Sequence, residues 1–511
     1  MHILRRLSLG PLVFAGLACV TGRAQGLLAD LGVTTLQARY GSSLATGSSV
    51  VGWLTEAGDP FWPNLANTSL FPLAPGRPYQ VVNTGTDPTT TSSGHATAVA
   101  AHWFGTSYGV SPGLGGVVAM GASDFVTTFG LNAGGYEISP GVFVVAAPFI
   151  SPTAPLWQSG LTGTAERPLG VPQVINASWA GSSGVTVYDV DTLRRADYLV
   201  DRDGITIVAG VGNAAGAPPQ VLGQAYNVIA VGLPISPSSD GTSYLDGSGR
   251  VVVDIVAPSE NTSAATPMVT GAATMLIDLA NKTPALANGN DPRVVRSVLM
   301  TGAEKAADWT VPTSTTVLGQ TVTQPLDLKL GAGELRVDMA YELMLSGEMT
   351  PNVPRSVQGW DLGTTGVGMT YYLVDNSAPG ADLTVTLAWN RVTGDPNDAT
   401  RFAASNFTVP TGNNLLISNP LANLDLQVFT TDGVSVPLVS LAASVSTVDN
   451  VEHIYLRDLP VGRYAIGVSG PAGTTYGLSF QMVPEASVGW SMGVLGLAGV
   501  GWGFWRRRGG R

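Results

Sequence analysis

Ser263 lies at the start of an apolar helical run, where a hydroxyl group can do chemistry. Behind it, apolar residues recur at the three- and four-residue spacing of one buried helix face, at Val269, Ala272, Ala273, Leu276 and Leu279. Pro267 is predicted in the first turn, where its missing N–H breaks no intrahelical bond. Unpaired N–H groups at a helix start can stabilise the oxyanion that forms when a hydroxyl attacks a carbonyl. A simpler role is also open, in which Ser263 or Thr262 only caps the helix.

The wider motif resembles the nucleophile motif of the subtilases, the subtilisin-like serine proteases. Residues 262–267 read Thr-Ser-Ala-Ala-Thr-Pro, and Val-Thr-Gly follows at 269–271. The usual family form is Gly-Thr-Ser-x-Ala-Thr-Pro-x-Val-x-Gly. This chain departs from its fixed positions only at Asn261, where glycine is usual. The resemblance implies a catalytic acid and then a histidine earlier in the chain.

The histidine that this order implies is His95. The residues around it, Ser-Gly-His-Ala-Thr-Ala-Val-Ala, resemble the histidine motif of the subtilases, although Ala96 and Ala101 replace common glycines. The alanine-rich run predicts a helix with His95 near its N-terminus. The helix dipole is therefore expected to lower the pKa of His95 and to favour a neutral general base. His102, two turns further on, is predicted to be structural.

A buried strand is predicted at residues 50–54, followed by Thr-Glu-Ala-Gly-Asp. Subtilases end the corresponding strand with the catalytic aspartate in Asp-Thr-Gly or Asp-Ser-Gly. Alignment on Gly58 places Glu56 at the position of that aspartate, and Asp59 is the alternative acid. A glutamate can accept the imidazole N–H if the backbone lies about one methylene further away. Glu56 can also be a solvated residue at a strand end.

Two further segments resemble the substrate cleft and oxyanion hole of the family. Residues 204–213 form an apolar strand ending in Gly-Asn, which by resemblance makes Asn213 an oxyanion donor, although Gly-Asn is also typical of a turn. Residues 174–179, Val-Ile-Asn-Ala-Ser-Trp, resemble the segment that lines the cleft. Ser178 and Trp179 are therefore the implied substrate-binding residues, and extended backbone there can pair with a peptide.

The remaining elements predict an α/β fold with a doubly wound, mostly parallel sheet over residues 25–345. Further buried strands are expected at 116–120, 142–146 and 251–256, with helices at 191–200 and 294–299. Asp291 and Pro292 are the expected cap and first-turn proline of the last helix.

Beyond Gly347 the pattern changes to short alternating runs separated by turn residues. This predicts a β-sandwich accessory domain, jelly-roll-like, over residues 346–482. Asn-Leu-Asp-Leu at 423–426 resembles a motif of β-domains appended to secreted proteases. A calcium ion on Asp425 is conceivable there, but a strand-edge aspartate facing water is the preferred interpretation. His453 has no partner that the sequence identifies.

Both ends of the chain have patterns that are typical of targeting segments. Residues 1–24 begin with two arginines close to the start, Arg5 and Arg6, followed by an apolar run and a small-residue cleavage site, which predicts a signal peptide. Pro-Glu-Ala at 484–486 precedes an apolar stretch and three arginines, and residues 483–511 resemble a PEP-CTERM sorting signal with one transmembrane helix. The resemblance implies processing by an exosortase-type enzyme at the cell envelope. An uncut membrane anchor is the alternative.

Composition sets limits on function. The chain is 44% hydrophobic and 12% charged, enough apolar residues for two or three domains. A net charge of −11 excludes the basic face that nucleic-acid binding needs. The one cysteine, Cys19, lies in the signal peptide, so no disulfide is expected after export.

By resemblance, the chain is an exported serine endopeptidase that cleaves polypeptides through an acyl-enzyme. The predicted triad is Ser263, His95 and Glu56, with Asp59 as the alternative acid, and no metal or other cofactor is required. The competing hypothesis is an impaired pseudoprotease that serves as a binding or structural module of the envelope. Two of the departures from the family motifs, Glu56 and Asn261, favour it.

Overall fold

The computed structural model describes the chain in segments, and the statements below concern these residues. They are 26–57, 62–63, 79–82, 92–122, 125, 136–139, 142–144, 172–182, 186–215, 221–311, 313–315, 321–323, 325–355, 357–394, 417–418, 420–432 and 438–484.

The first two thirds of the chain alternates strands with helices. In chain order the elements are α1 (Val33–Tyr40), β1 (Val51–Glu56), β2 (Tyr79–Val82), α2 (Gly94–Phe104), β3 (Gly116–Gly121), β4 (Tyr136–Ser139), β5 (Val142–Val144), β6 (Val174–Ala177), α3 (Thr186–Asp203), β7 (Thr206–Gly210), β8 (Ile229–Gly232), β9 (Ile255–Val256), α4 (Thr262–Lys282), α5 (Pro292–Thr301), β10 (Thr313–Thr315), β11 (Thr321–Thr323) and α6 (Val337–Leu345). Two 3₁₀ helices cover Gly41–Ser43 and Pro284–Asn290. Asp291 caps α5 and Pro292 is in its first turn, as predicted.

A seven-stranded sheet forms the centre of this α/β unit, with the order β2-β3-β1-β6-β7-β8-β9. Every neighbouring pair is parallel. The chain passes from β1 to β2 at the edge of the sheet and returns to β3, which lies beside β1. It then crosses to β6 on the other side of β1 and continues outward through β7, β8 and β9. The point where the direction reverses therefore lies between β1 and β6. Crevices at the carboxyl ends of strands beside such a switch point are the usual ligand sites of open α/β sheets.

Both faces of the sheet are covered, because successive strand residues point to opposite sides. Val117, Val174 and Val208 belong to an apolar core that includes residues of α2 and α4. Their neighbours Val118, Ile175 and Ile207 belong to a second core that includes residues of α3. The predicted doubly wound parallel sheet is confirmed.

Two predicted strands differ from the structure. Val142–Val144 does form a strand, but it pairs antiparallel with β4 in a separate two-stranded sheet and does not join the central one. The run predicted at 251–256 is a central strand only over its last two residues, since Val251 instead forms an isolated bridge with Thr242. Apolar composition alone does not identify the partner of a strand.

The rest of the chain is made of strands. They are β12 (Gln358–Thr364), β13 (Thr370–Asn376), β14 (Ala381–Trp389), β15 (Thr393–Gly394), β16 (Ile417–Ser418), β17 (Asp425–Thr430), β18 (Val439–Ser444), β19 (Val451–Leu459), β20 (Gly462–Ser469) and β21 (Thr475–Pro484). Two sheets, ordered β10-β11-β18-β17-β20-β13 and β12-β21-β14-β19, enclose an apolar core with residues such as Leu387, Leu426 and Phe480. The predicted β-sandwich is confirmed, and the β10–β11 hairpin adds to its larger sheet through a parallel pairing with β18.

The sandwich packs against α5 through β14 and β21. At Gly477 the approach is so close that an added Cβ would lie 2.3 Å from the carbonyl oxygen of Arg293. Glycine is therefore the residue that allows β21 to contact the helix backbone.

A group of buried charges, here called the junction cluster, joins the α/β unit to the segment after β14. It consists of Asp197, Asn227, Arg391, Asp246 and Arg194. Asp197 accepts hydrogen bonds from the Asn227 N–H at 2.7 Å and from Arg391 Nη2 at 2.6 Å. The same Nη2 lies 2.6 Å from Asp246 Oδ2, and Arg194 donates to both oxygens of Asp246. Each oxygen of the two carboxylates thus accepts a hydrogen bond.

No helix within the described residues is long and apolar enough to cross a membrane. The predicted signal peptide at 1–24 lies outside the described residues, and so does the sorting segment beyond Pro484.

Candidate active site

Several of the predicted site residues lie at the carboxyl edge of the central sheet. Glu56 is the last residue of β1, and Ser178 follows the end of β6. Asn213 comes three residues after β7. Because all of these strands are parallel, their carboxyl ends meet at one edge, beside the switch point between β1 and β6.

Glu56 and His95 form a hydrogen-bonded pair, here called the acid–imidazole pair. Glu56 Oε2 lies 2.6 Å from His95 Nδ1. The carboxylate is 1% exposed, whereas the imidazole is 49% exposed. Ser93 fixes the start of α2 by accepting a hydrogen bond from the Ala96 N–H, and this places His95 in the first turn. The pairing leaves Nε2 of the imidazole as the nitrogen that can face a substrate.

The pKa values of the pair follow from burial and from this contact. Burial raises the pKa of Glu56, and the hydrogen bond to His95 opposes that shift. The hydrogen bond to Glu56 raises the pKa of His95 above 6.5, against the smaller effect of burial. The lowered pKa predicted from the helix dipole is therefore wrong, because a carboxylate at 2.6 Å outweighs partial charges at a helix end.

Asn261, the residue that departs from the family motif, caps α4. Its Oδ1 accepts a hydrogen bond from the Ala264 N–H at 2.9 Å, so neither Thr262 nor Ser263 is the cap. Pro267 lies inside the helix and not in its first turn, which corrects the second expectation for this segment. A proline there cannot donate to the carbonyl of Ser263, four residues earlier.

Ser263 and His95 are not joined by a hydrogen bond in this structure. The Ser263 hydroxyl instead donates to the backbone carbonyl of Ser178, with an Oγ–O distance of 3.2 Å. Ser263 is half-buried at the start of α4. The predicted nucleophile is thus close to the predicted cleft segment, with its hydroxyl turned towards that backbone.

Two N–H groups beside Ser263 have no acceptor among the described residues. Oδ1 of Asn213 accepts hydrogen bonds from the N–H and the hydroxyl of Thr262, at 2.8 and 3.0 Å. Both donors fix the orientation of the amide, so its Nδ2 group is left to donate elsewhere. The backbone N–H of Ser263, in the first turn of α4, is the second such group.

A row of buried threonines aligns α4 against the sheet, and sequence analysis missed it. Each threonine hydroxyl after the first donates to the carbonyl four residues earlier, at 2.7–2.9 Å. The members are Thr262, Thr266, Thr270 and Thr274. At Gly210 an added Cβ would lie 2.9 Å from the hydroxyl of Thr266, so glycine allows β7 to approach this row. The four-residue spacing is visible in the sequence and was the available signal.

The threonine row connects with the cleft segment through Asn176. The Thr270 hydroxyl, which lies 2.9 Å from the Thr266 carbonyl, is also 2.8 Å from Asn176 Oδ1 and shares its one hydrogen between the two acceptors. Asn176 Nδ2 donates to the Ser178 hydroxyl at 2.9 Å. Trp179 donates from Nε1 to Thr55 Oγ1 at 3.0 Å. Ser178 and Trp179 are thereby tied to the helix of Ser263 and to the strand of Glu56, respectively.

The other candidates are not part of this arrangement. Burial lowers the pKa of His102 to about 4, and its ring packs edge-on against Tyr108, consistent with a structural role. Asp59 lies outside the described residues. Asp425 is half-buried and accepts a hydrogen bond from Asn423. No group of three or more metal-binding side chains is present within the described part of the chain.

Comparisons with known proteins give structural neighbours only. No protein-family model matches the sequence, and no curated protein matches it. The prenylagaramide maturation protease PagA is 17% identical with a TM-score of 0.38, covering 61% of this chain and 98% of its own. The protease domain of PatA is 19% identical with a TM-score of 0.38, covering 60% and 99%. A serine protease of Aeromonas sobria is 14% identical with a TM-score of 0.36, covering 86% and 89%.

Proposed function

We propose that this protein is a serine endopeptidase of the subtilisin-like type. The observation that carries the proposal is the acid–imidazole pair, which lies at the same edge of the sheet as Ser178, the residue whose carbonyl accepts the Ser263 hydroxyl. His95 takes the proton of the Ser263 hydroxyl as that oxygen attacks a peptide carbonyl, and Glu56 orients the imidazole and stabilises its charged form. The oxyanion accepts hydrogen bonds from Asn213 Nδ2 and the Ser263 N–H. His95 then protonates the leaving amine, and water hydrolyses the acyl-enzyme.

The proposal requires the Ser263 hydroxyl to leave Ser178 and turn to His95. Its present bond, at 3.2 Å, is longer than the usual 2.7–2.8 Å of an O–H···O contact and therefore weak. Rotation about one side-chain bond moves the hydroxyl between staggered positions. Catalytic hydrogen bonds are often absent or long in free enzymes and shorten when substrate binds.

Covalent labelling with a fluorophosphonate probe tests the proposal. The folded wild type should be labelled at Ser263, and Ser263→Ala should abolish both labelling and peptide hydrolysis. Ser259→Ala, four residues earlier in the loop before α4, is the matched control and should keep both. Because the proposal uses no metal, hydrolysis should persist in EDTA.

The second candidate function is a binding or structural module without protease activity. The bond from Ser263 to the Ser178 carbonyl, in place of one to His95, favours it. Absence of probe labelling in the folded wild type, together with unchanged ligand or envelope binding by Ser263→Ala, would support this candidate against the protease.

We also propose export and envelope attachment, on the basis of the two terminal segments. Mass analysis of the protein from its natural cells should give an N-terminus near residue 25. Its C-terminus should lie near Pro484 if an exosortase-type enzyme cuts the chain, or at Arg511 if the segment remains as an anchor.

A further inference from the structure

The chain has only three lysines, and their surroundings differ. Lys282 forms an ion pair with Asp278 at 2.8 Å. Lys305, after α5, has no carboxylate within ion-pair distance among the described residues. Its Nζ donates one hydrogen bond, to the carbonyl of Ala303 at 3.3 Å, although an ammonium group has three donors.

The amine of Lys305 lies in an aromatic corner at the junction of the α/β unit and the sandwich. Its Nζ is 5.3 Å from the ring centre of Trp309 and 5.6 Å from that of Tyr455. The two rings meet at 86° with their centres 5.8 Å apart. Their polar atoms are engaged elsewhere, since Trp309 donates to the Gly331 carbonyl and Tyr455 donates to Asp382. The rings therefore present their faces to the amine, and these faces attract its protonated form without supplying a hydrogen-bond acceptor from their polar atoms.

A buried imidazole borders the same corner. His453 is 2% exposed and packs against Trp309 with ring centres 5.9 Å apart. Its Nδ1 is paired with the Thr386 hydroxyl at 2.9 Å, but its Nε2 has no partner among the described residues. Burial is the main cause that holds the pKa of His453 well below 6.5, and the charge of Lys305 lowers it further only while that amine is protonated. A neutral imidazole adds no positive charge to the corner in which the amine lies.

From this geometry we propose that Lys305 is a covalent modification site for planar aldehydes, which it binds as a reversible imine. The neutral Nζ forms a bond to the carbonyl carbon while the C=O π electrons move to oxygen. A proton then passes from nitrogen to oxygen, and loss of water leaves the C=N bond without oxidation or reduction. The faces of Trp309 and Tyr455 pack against the planar group.

Burial favours the neutral amine that this step needs, whereas the two ring faces favour the ammonium form. Burial lowers the pKa of Lys305 to about 7. The charged neighbours do not reverse this effect: Glu304 is paired with Arg336 at 2.7 Å, and the guanidinium of Arg457 lies over Tyr455. An ordinary lysine, with a pKa of about 10.4, is almost entirely protonated at neutral pH and so unreactive.

Reductive trapping in the folded full-length protein tests the site. Salicylaldehyde with cyanoborohydride at pH 7, followed by peptide mass analysis, should modify Lys305 at least about tenfold faster than Lys282 or Lys329, with the rate rising through pH 7. In urea all three lysines should react alike. Trp309→Leu should slow the reaction at Lys305, and Lys305→Arg should abolish it there.

The outcomes that overturn the proposal are distinct. Modification of Lys305 no faster than of Lys329, or only at alkaline pH, would show an ordinary amine. Fast modification by formaldehyde without modification by salicylaldehyde would reject the planar ligand. An unchanged rate at Lys305 in a Trp309→Leu variant whose thermal unfolding matches that of the wild type would reject the role of the aromatic rings.

Discussion

The acid–imidazole pair and the junction cluster both bury a carboxylate beside a basic side chain, but they differ in how many of the carboxylate oxygens accept a hydrogen bond. In the junction cluster every oxygen of Asp197 and Asp246 accepts a hydrogen bond. In the pair, Glu56 Oε1 is buried and has no partner among the described residues. A buried polar atom without a partner costs stability, so its presence at the sheet edge is better explained by function than by folding. The junction cluster is explained by structure alone.

The largest expected effect is on activity, from Glu56→Gln. An amide donates to the imidazole and favours the wrong tautomer, so kcat should fall about 10⁴-fold, as when other serine proteases exchange the acid for an amide. Thermal stability should not fall, because the buried charge is gone. Peptide hydrolysis and thermal unfolding, measured on the same samples, check both expectations. If Glu56→Gln were as active as the wild type, Glu56 would not be the catalytic acid. Asp59, the alternative acid, would then be the next residue to substitute.

For Arg391→Met we expect a loss of stability without a loss of activity, the reverse of the result expected for Glu56→Gln. It leaves Asp197 as a buried charge without its cation, a change that typically costs about 3–5 kcal/mol of stability. Activity per folded molecule should stay unchanged. Urea unfolding and active-site titration measure the two quantities. Arg39→Met, which removes an exposed partner of Glu342, is the matched control and should leave stability unchanged within error.

Asn213 and Asn227 allow the same comparison between the candidate active site and the junction cluster with one residue type. Asn213 has an amide nitrogen left free beside Ser263, so Asn213→Ala should lower kcat by about 10²–10³-fold with little change in KM. Asn227 is buried in the junction cluster with its amide groups bonded to Asp197 and Arg391. Asn227→Ala should cost about 1–3 kcal/mol in stability and leave kcat unchanged. If Asn213→Ala and Asn227→Ala changed kcat equally, or changed stability equally, the proposed difference between a catalytic and a structural asparagine would be wrong.

The smallest expected effect is a shift along the pH axis. Because His95 must be neutral to accept a proton and Glu56 raises its pKa, kcat/KM should fall on acidification with a midpoint above pH 6.5. The residual activity of Glu56→Gln should show that midpoint at lower pH. Initial rates across the pH range provide the measurement, and a wild-type midpoint at or below 6.5 would contradict the assigned cause.

The sequence is informative where chemistry depends on local motifs. The strand before Glu56, the helices after His95 and Ser263, and the alternating pattern of the sandwich strands could all be predicted, because short-range periodicity determines them. The role of Asn261 as the cap of α4 was not predicted, because the residue was compared only with the glycine of the family motif.

Long-range contacts could not be predicted from the same patterns. The pKa direction of His95 depends on an atom-scale distance to Glu56. The junction cluster joins Asp197 to Arg391, which is 194 positions away, and no periodicity links them. The antiparallel partner of Val142–Val144 was unpredictable for the same reason, since strand pairing is a property of the assembled sheet.

The contact between Gly477 and the backbone of α5 has a consequence for how the chain is made. One face of that helix is covered only when both β14 and β21 are in place against it. Since β21 ends at Pro484, this face of the helix stays exposed to water during synthesis until that strand has been translated. A shortened gene product that stops after α6 should therefore aggregate, whatever the state of its catalytic residues.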